Sequence, residues 1–92
     1  MTVAATIETK LHRAFTPSRL VVTDDSARHA GHMGAAAGGE THFNVEIVSP
    51  RFAGHSRVAR QRLVYEVLAD ELANGVHALS VRAISPAEAK DN

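Results

Sequence analysis

Residues 41–77, THFNVEIVSPRFAGHSRVARQRLVYEVLADELANGVH, decide the fold of this chain. The first eight of them, 41–48, alternate between apolar and polar side chains, which is typical of a strand with one buried face. Ser49-Pro50 then places a helix N-cap before a proline that suits the first helical position, and Gly54 ends the resulting turn. The stretch therefore predicts a half-buried strand followed at once by a single helical turn.

A longer helix is predicted within the same stretch, over residues 56–73. Ser56 is its candidate N-cap, and Asn74-Gly75 supplies a C-terminal stop. The apolar residues of this segment lie on one broad face: Leu63, Val64, Val67, Leu68 and Leu72. That face is expected to pack against a sheet.

Residues 76–84 alternate again and predict a further strand, on which His77 shares the apolar face with Leu79. A strand–helix–strand connection is right-handed in nearly all proteins and makes the two strands parallel. Parallel strands start at the same edge of a sheet. We therefore expect His77 beside Thr41, at the edge that also receives the end of segment 24–40.

The elements before this stretch are simpler. Residues 3–15 have helical apolar spacing, and Pro17 ends that helix. Residues 19–23, RLVVT, predict a short strand. Residues 24–40, DDSARHAGHMGAAAGGE, contain four glycines and no apolar periodicity, and predict a long flexible loop. Residues 86–92 predict a loose tail with at most one helical turn.

The element order is helix, strand, strand, turn, helix, strand, with the first two strands antiparallel. This order predicts an α+β fold with a three-stranded mixed sheet and helices on one face. We expect a single domain over 1–92, with its core over about 7–88.

Composition excludes several classes of protein. The chain has 92 residues, 45% hydrophobic and 22% charged, and a formal net charge of zero, so bulk charge does not attract nucleic acid. No basic and apolar leader and no apolar run of about 20 residues is visible, and motifs for hydrolases, metalloproteases and phosphate loops are missing. We expect a cytoplasmic, non-enzymatic protein without membrane association, either a monomer or a weak homodimer.

Cysteine is missing altogether, and histidine is unusually frequent with six residues. A disulfide, a Cys-ligated zinc ion and a cluster held by this chain's own thiolates are therefore excluded. Two of the histidines, His29 and His32, lie in the glycine-rich segment that topology brings towards His77. A simple zinc or ferrous site from these three residues is chemically possible.

Four ordered motifs then resemble the BolA family over about residues 7–88. They are THF at 41–43, IVSPRFAG at 47–54, RQRLVY at 60–65 and VHAL at 76–79. The resemblance implies the class II KH-like fold, in agreement with the element order. It also implies partnership with a monothiol glutaredoxin in iron–sulfur cluster assembly or trafficking, and some bacterial members of the family regulate transcription by binding DNA.

The resemblance further implies which residues ligate the metal. Family members hold a bridging [2Fe-2S] cluster with the histidine of the VHAL motif, here His77, and with a histidine or cysteine between the first two strands. The D-S-x-x-H pattern matches that second role to His29, while His32 is another candidate. The remaining ligands would be a glutaredoxin cysteine and glutathione, since this chain has no thiolate. The cluster would then be absent from the protein purified alone.

A basic surface around the start of the main helix supports an alternative function. It consists of Arg51, His55, Arg57, Arg60 and Arg62. These residues could dock a glutaredoxin, or could contact phosphates of duplex DNA in a transcriptional regulator. The RNA-binding mode of KH domains is disfavoured, because the segment between the helices has one glycine where that mode uses a GXXG loop.

Overall fold

A computed structural model describes residues 2–25 and 41–90. The elements in chain order are α1 (Val3–Phe15), β1 (Arg19–Asp24), β2 (His42–Val48), a 3₁₀ turn (Pro50–Phe52), α2 (Arg57–Val67), α3 (Ala69–Ala73), β3 (Ala78–Ile84) and α4 (Pro86–Lys90). The sheet order is β1-β2-β3, with β1 antiparallel and β3 parallel to β2. The predicted fold class is confirmed.

One face of the sheet packs against the helices. On the central strand, Phe43, Val45 and Ile47 are at most 2% exposed, whereas Asn44 between them is exposed. This is the alternation that the sequence predicted. The helices contribute Ile7, Leu11, Phe15 and Val64 to the core, together with Leu68 between α2 and α3 and Phe52 of the 3₁₀ turn.

Two capping serines fix the connections on either side of the 3₁₀ turn. The Ser49 hydroxyl accepts from the N–H of Arg51 at 3.2 Å, and the Ser56 hydroxyl accepts from the N–H of Ala59 at 3.1 Å. Both N-caps were predicted from the sequence and are confirmed.

The helix expected over residues 56–73 is divided into α2 and α3. Leu68, between them, leaves helical geometry with φ −101° and ψ 19° while its side chain is fully buried. The short helix α3 is attached to α1, because Lys10 Nζ lies 2.8 Å from a Glu71 carboxylate oxygen. That contact raises the pKa of Lys10. The prediction of a single unbroken helix was therefore wrong.

Helix α4 occupies the first part of the segment after β3. Ser85 and Glu88 form a capping box: the Ser85 N–H donates to Glu88 Oε1 at 2.8 Å, and the Glu88 N–H donates to the Ser85 hydroxyl at 3.4 Å. The division of the chain into a core, a loop and a tail otherwise stays a prediction, and residues 26–40 lie outside the described part.

Candidate functional site

His77 lies directly before β3 and not within it. Gly75 takes a φ of +132°, which suits glycine, and the N–H of Val76 then donates to the carbonyl of Glu71 at 3.0 Å. Val76 is buried and His77 is exposed. The prediction that His77 shares the apolar face of the strand is therefore wrong, because β3 starts at Ala78 and the alternation starts with it.

Two backbone hydrogen bonds fix the position of His77 at the sheet edge. The His77 N–H donates to the carbonyl of Thr41 at 2.7 Å, and the Ala78 N–H donates to the same oxygen at 3.2 Å. On the other side of β2, the N–H of Asp25 donates to the carbonyl of His42 at 2.7 Å. Residues 25 and 41, which bracket segment 26–40, thus both lie at the edge where His77 lies. The predicted parallel start of β2 and β3 is confirmed.

His29 and His32 lie outside the described residues, so their assignment as ligands stays a prediction. The described neighbour of His77 is His42, whose ring centroid lies 6.4 Å from that of His77 at an interplanar angle of 44°. His42 is half-buried, and its Nδ1 lies 2.8 Å from the Thr41 hydroxyl.

The alternation of residues 41–48 puts His42 on the polar face, and His42 is not among the ligands expected from the sequence. The signal was available, since the same parallel pairing that places Thr41 beside His77 places His42 there too. Within residues 2–25 and 41–90, no group of three or more metal-ligating side chains comes together. This edge of the sheet therefore presents the exposed imidazole of His77 with the half-buried imidazole of His42 beside it. A metal ion bound to His77 would need further ligands from outside the described residues.

The basic surface reaches the far end of β3 through His55, Arg57 and Arg60, and it divides into two kinds of residue. Arg51, His55, Arg57 and Arg62 are exposed. Arg60 is different: its side chain is 12% exposed and ties α2 to its neighbours. Its Nε donates to the His55 carbonyl at 3.0 Å, and its Nη1 donates to the Ala83 carbonyl at 3.1 Å and to Glu88 Oε1 at 2.7 Å.

Glu88 is held as an anion by this arrangement. Hydrogen bonds from the backbone and hydroxyl of Ser85, followed by the one from Arg60, lower the pKa of Glu88 to about 2. Arg60 therefore has a structural part in attaching α4. The assignment of the basic surface to a partner or to nucleic acid stays a prediction, and Arg60 is its least accessible member.

A family model described as BolA-like protein matches residues 11–88. The chain belongs to the BolA-like family. It is 50% identical over 86 residues to "SufE-like protein 1, chloroplastic/mitochondrial" of Arabidopsis thaliana and covers 23% of that longer protein. It is 46% identical over 90 residues to BolA-like protein 1 of Mus musculus and covers 63% of it. These BolA-like relatives are thus longer than the chain.

The fold is shared with solved members of the family. The BolA domain of SufE1 from Arabidopsis thaliana superimposes with a TM-score of 0.83 at 49% identity, over 92% of this BolA-like chain and 93% of that one. Among the described residues, no helix is long and apolar enough to cross a bilayer. Because the Arabidopsis relative is named for chloroplasts and mitochondria, a cytoplasmic location stays a prediction.

Proposed function

We propose that this BolA-like protein is a non-enzymatic accessory factor that pairs with a monothiol glutaredoxin to coordinate and deliver a [2Fe-2S] cluster. His77 would supply one imidazole ligand, and His29 or His32 the second. The glutaredoxin cysteine and glutathione would supply the remaining ligands. The cluster is the cargo of the pair rather than a resident cofactor of this chain.

The observation that supports this proposal most directly is the position of His77. Its ring is exposed, its backbone is fixed to Thr41 at 2.7 Å, and residues 25 and 41 bring both ends of segment 26–40 to the same edge. An exposed ligand is accessible to a second protein. Because the chain has no cysteine, a [2Fe-2S] centre here needs thiolates from a partner.

Imidazole ligation also explains why such a cluster would be transferable. A neutral imidazole leaves an iron centre less negative than a thiolate does, so the cluster is held more weakly and is transferred more readily. Only the deprotonated nitrogen of an imidazole binds metal. We therefore expect the shared cluster to weaken as pH falls towards about 6.

The experiment mixes the full chain with a cluster-loaded monothiol glutaredoxin and records visible absorption and circular dichroism. We expect the spectrum to change with the wild type, to stay that of the glutaredoxin alone with His77→Ala, and to change normally with His12→Ala, an exposed histidine on α1. Separate His29→Ala and His32→Ala variants identify the second ligand. An unchanged wild-type spectrum, or a normal response from His77→Ala, would reject the proposal.

DNA binding is the second candidate function, and the exposure of Arg51, Arg57 and Arg62 near the start of α2 is the observation that favours it. These side chains could contact phosphates, and such binding would be sensitive to salt. It would be indifferent to His77→Ala, which lies at the other end of β3.

A further inference from the structure

Strand β3 forms one edge of the three-stranded sheet, because the strand order is β1-β2-β3. Alternate residues of β3 bond to β2, beginning with Ala78, whose N–H donates to the carbonyl of Thr41 at 3.2 Å. The residues between them, Leu79, Val81 and Ala83, therefore direct their N–H and C=O groups away from β2. These outward groups form the free edge of the sheet.

Two side chains of α2 cover this edge on either side of Val81. The Tyr65 hydroxyl donates to the carbonyl of Leu79 at 2.9 Å, and Arg60 Nη1 donates to the carbonyl of Ala83 at 3.1 Å. Among the described residues, nothing bonds to the outward N–H or C=O of Val81. An unpaired donor and acceptor on a sheet edge are the groups that an added strand uses.

A groove of about 420 Å³ lies over this part of the edge, and its charge is predominantly positive. Its lining includes Arg57, Arg60 and Arg82 but a single carboxylate, that of Glu88. Arg60 is paired with Glu88 at 2.7 Å, and Arg82 contacts Glu46 at 3.4 Å. Arg57 has no carboxylate partner in the described part of the chain. The groove therefore leaves one positive charge available to an incoming anion.

The other lining groups favour a peptide over an inorganic phosphate. Gln61 lies one helical turn after Arg57 and lines the same groove, while Val81, Ala83 and Ile84 give it an apolar part. A phosphate dianion supplies acceptors alone and would leave the outward carbonyl of Val81 unpaired. An extended peptide supplies a donor and an acceptor from one residue, and its side chains supply apolar groups and carboxylates.

We propose that this groove binds an extended acidic segment of a partner protein by strand addition at Val81. One residue of the peptide exchanges two hydrogen bonds with Val81, and a neighbouring carboxylate binds Arg57 with the Gln61 amide beside it. This site goes beyond the proposed function, since it needs no cluster. It differs from the second candidate function in its ligand, which is a peptide rather than duplex DNA.

The test is an NMR titration of the isotope-labelled full chain with the peptide Val-Glu-Val-Glu-Val, acetylated and amidated at its ends. We expect the amide signals of Val81 and of the Gln61 side chain to shift. Arg57→Gln should weaken binding at least about fivefold, because it removes a charge-assisted hydrogen bond. The matched control is Arg62→Gln, an exposed arginine on α2 outside the groove, which should bind within about twofold of the wild type.

The peptide has a control of its own. The same sequence with glutamine in place of glutamate keeps the backbone bonds and loses the charge. It should therefore bind at least about fivefold more weakly than the acidic peptide. The amide spectrum of each variant without peptide checks that the fold is retained.

Three results would overturn the proposal. One is the lack of a shift at Val81 with the acidic peptide at millimolar concentration. Another is an equal loss in Arg57→Gln and Arg62→Gln, which would show attraction by overall charge rather than binding in the groove. The third is a short DNA duplex that shifts the groove signals when the peptide does not, which would assign the groove to phosphates. No cluster or glutaredoxin is used, so this proposal and the proposed function can fail separately.

Discussion

Ser49 shows how one small side chain joins three elements of this fold. It is fully buried, and its hydroxyl donates to the carbonyl of Phe15 at 2.6 Å. That carbonyl belongs to the last turn of α1, where no partner within the helix is available. The Ser49 N–H also donates to the carbonyl of Ile84 at 3.0 Å, at the end of β3. The sequence predicted the N-cap role of Ser49 and could not predict these long-range contacts.

We expect Ser49→Ala to lower the free energy of unfolding by about 1–3 kcal/mol, because it leaves the buried carbonyl of Phe15 without a donor and removes an N-cap. Urea denaturation measures the change. The matched control is Ser56→Ala, an exposed N-cap, which should cost roughly 0.5–1 kcal/mol. Equal losses in the two variants would show that the contact with Phe15 adds nothing.

At the same scale, the sequence placed His77 at the correct edge of the sheet but on the wrong face, and His42 was not expected as its neighbour. Alternation placed His42 on the polar face of β2, and it does lie opposite Ala78 on that face. What alternation does not give is the approach of two rings to 6.4 Å, which depends on side-chain conformations at the very end of two strands. The ligands expected in segment 26–40 are outside the described residues and stay predictions.

At the scale of the element, the kinds of helix and strand were predictable, and their ends were less so. Helix α1 and strand β2 agree with the predicted ranges to within one residue. Strand β3 starts at Ala78, two residues later than predicted, because Gly75 takes a positive φ and Val76 is bonded back to Glu71. Such tertiary contacts decide where an element begins, and hydrophobic periodicity does not contain them.

Helix α4 had a local signal that was overlooked, the S-x-x-E capping box of residues 85–88. The attachment of α4 to α2 through Arg60 had no such signal in the local sequence. In the folded protein the pKa of Glu88 is lowered to about 2 from 4.5, first by the Ser85 backbone, then by the Ser85 hydroxyl and Arg60. A lowered pKa means that ionised Glu88 contributes stability above pH 4.5, and that this contribution is lost as pH falls towards 2.

We therefore expect α4 to detach on acidification between pH 4.5 and about 2, as Glu88 is protonated. NMR titration of the Glu88 carboxyl carbon and of the Ser85 amide measures this directly. Glu88→Gln is the control: its Ser85 amide should already resemble the acid form at neutral pH and should lack the transition. A Glu88 carboxyl that titrates near 4.5 would contradict the capping arrangement.

At the scale of the whole molecule, the two candidate surfaces lie at opposite ends of the sheet. His42 and His77 are at the start of β2 and β3, whereas Arg60 contacts Ala83 and helix α4 beyond the end of β3. Seven residues of strand separate them by roughly 20 Å. A change at the histidine edge should therefore leave the arginine surface unaltered, so cluster binding and phosphate binding can be tested independently.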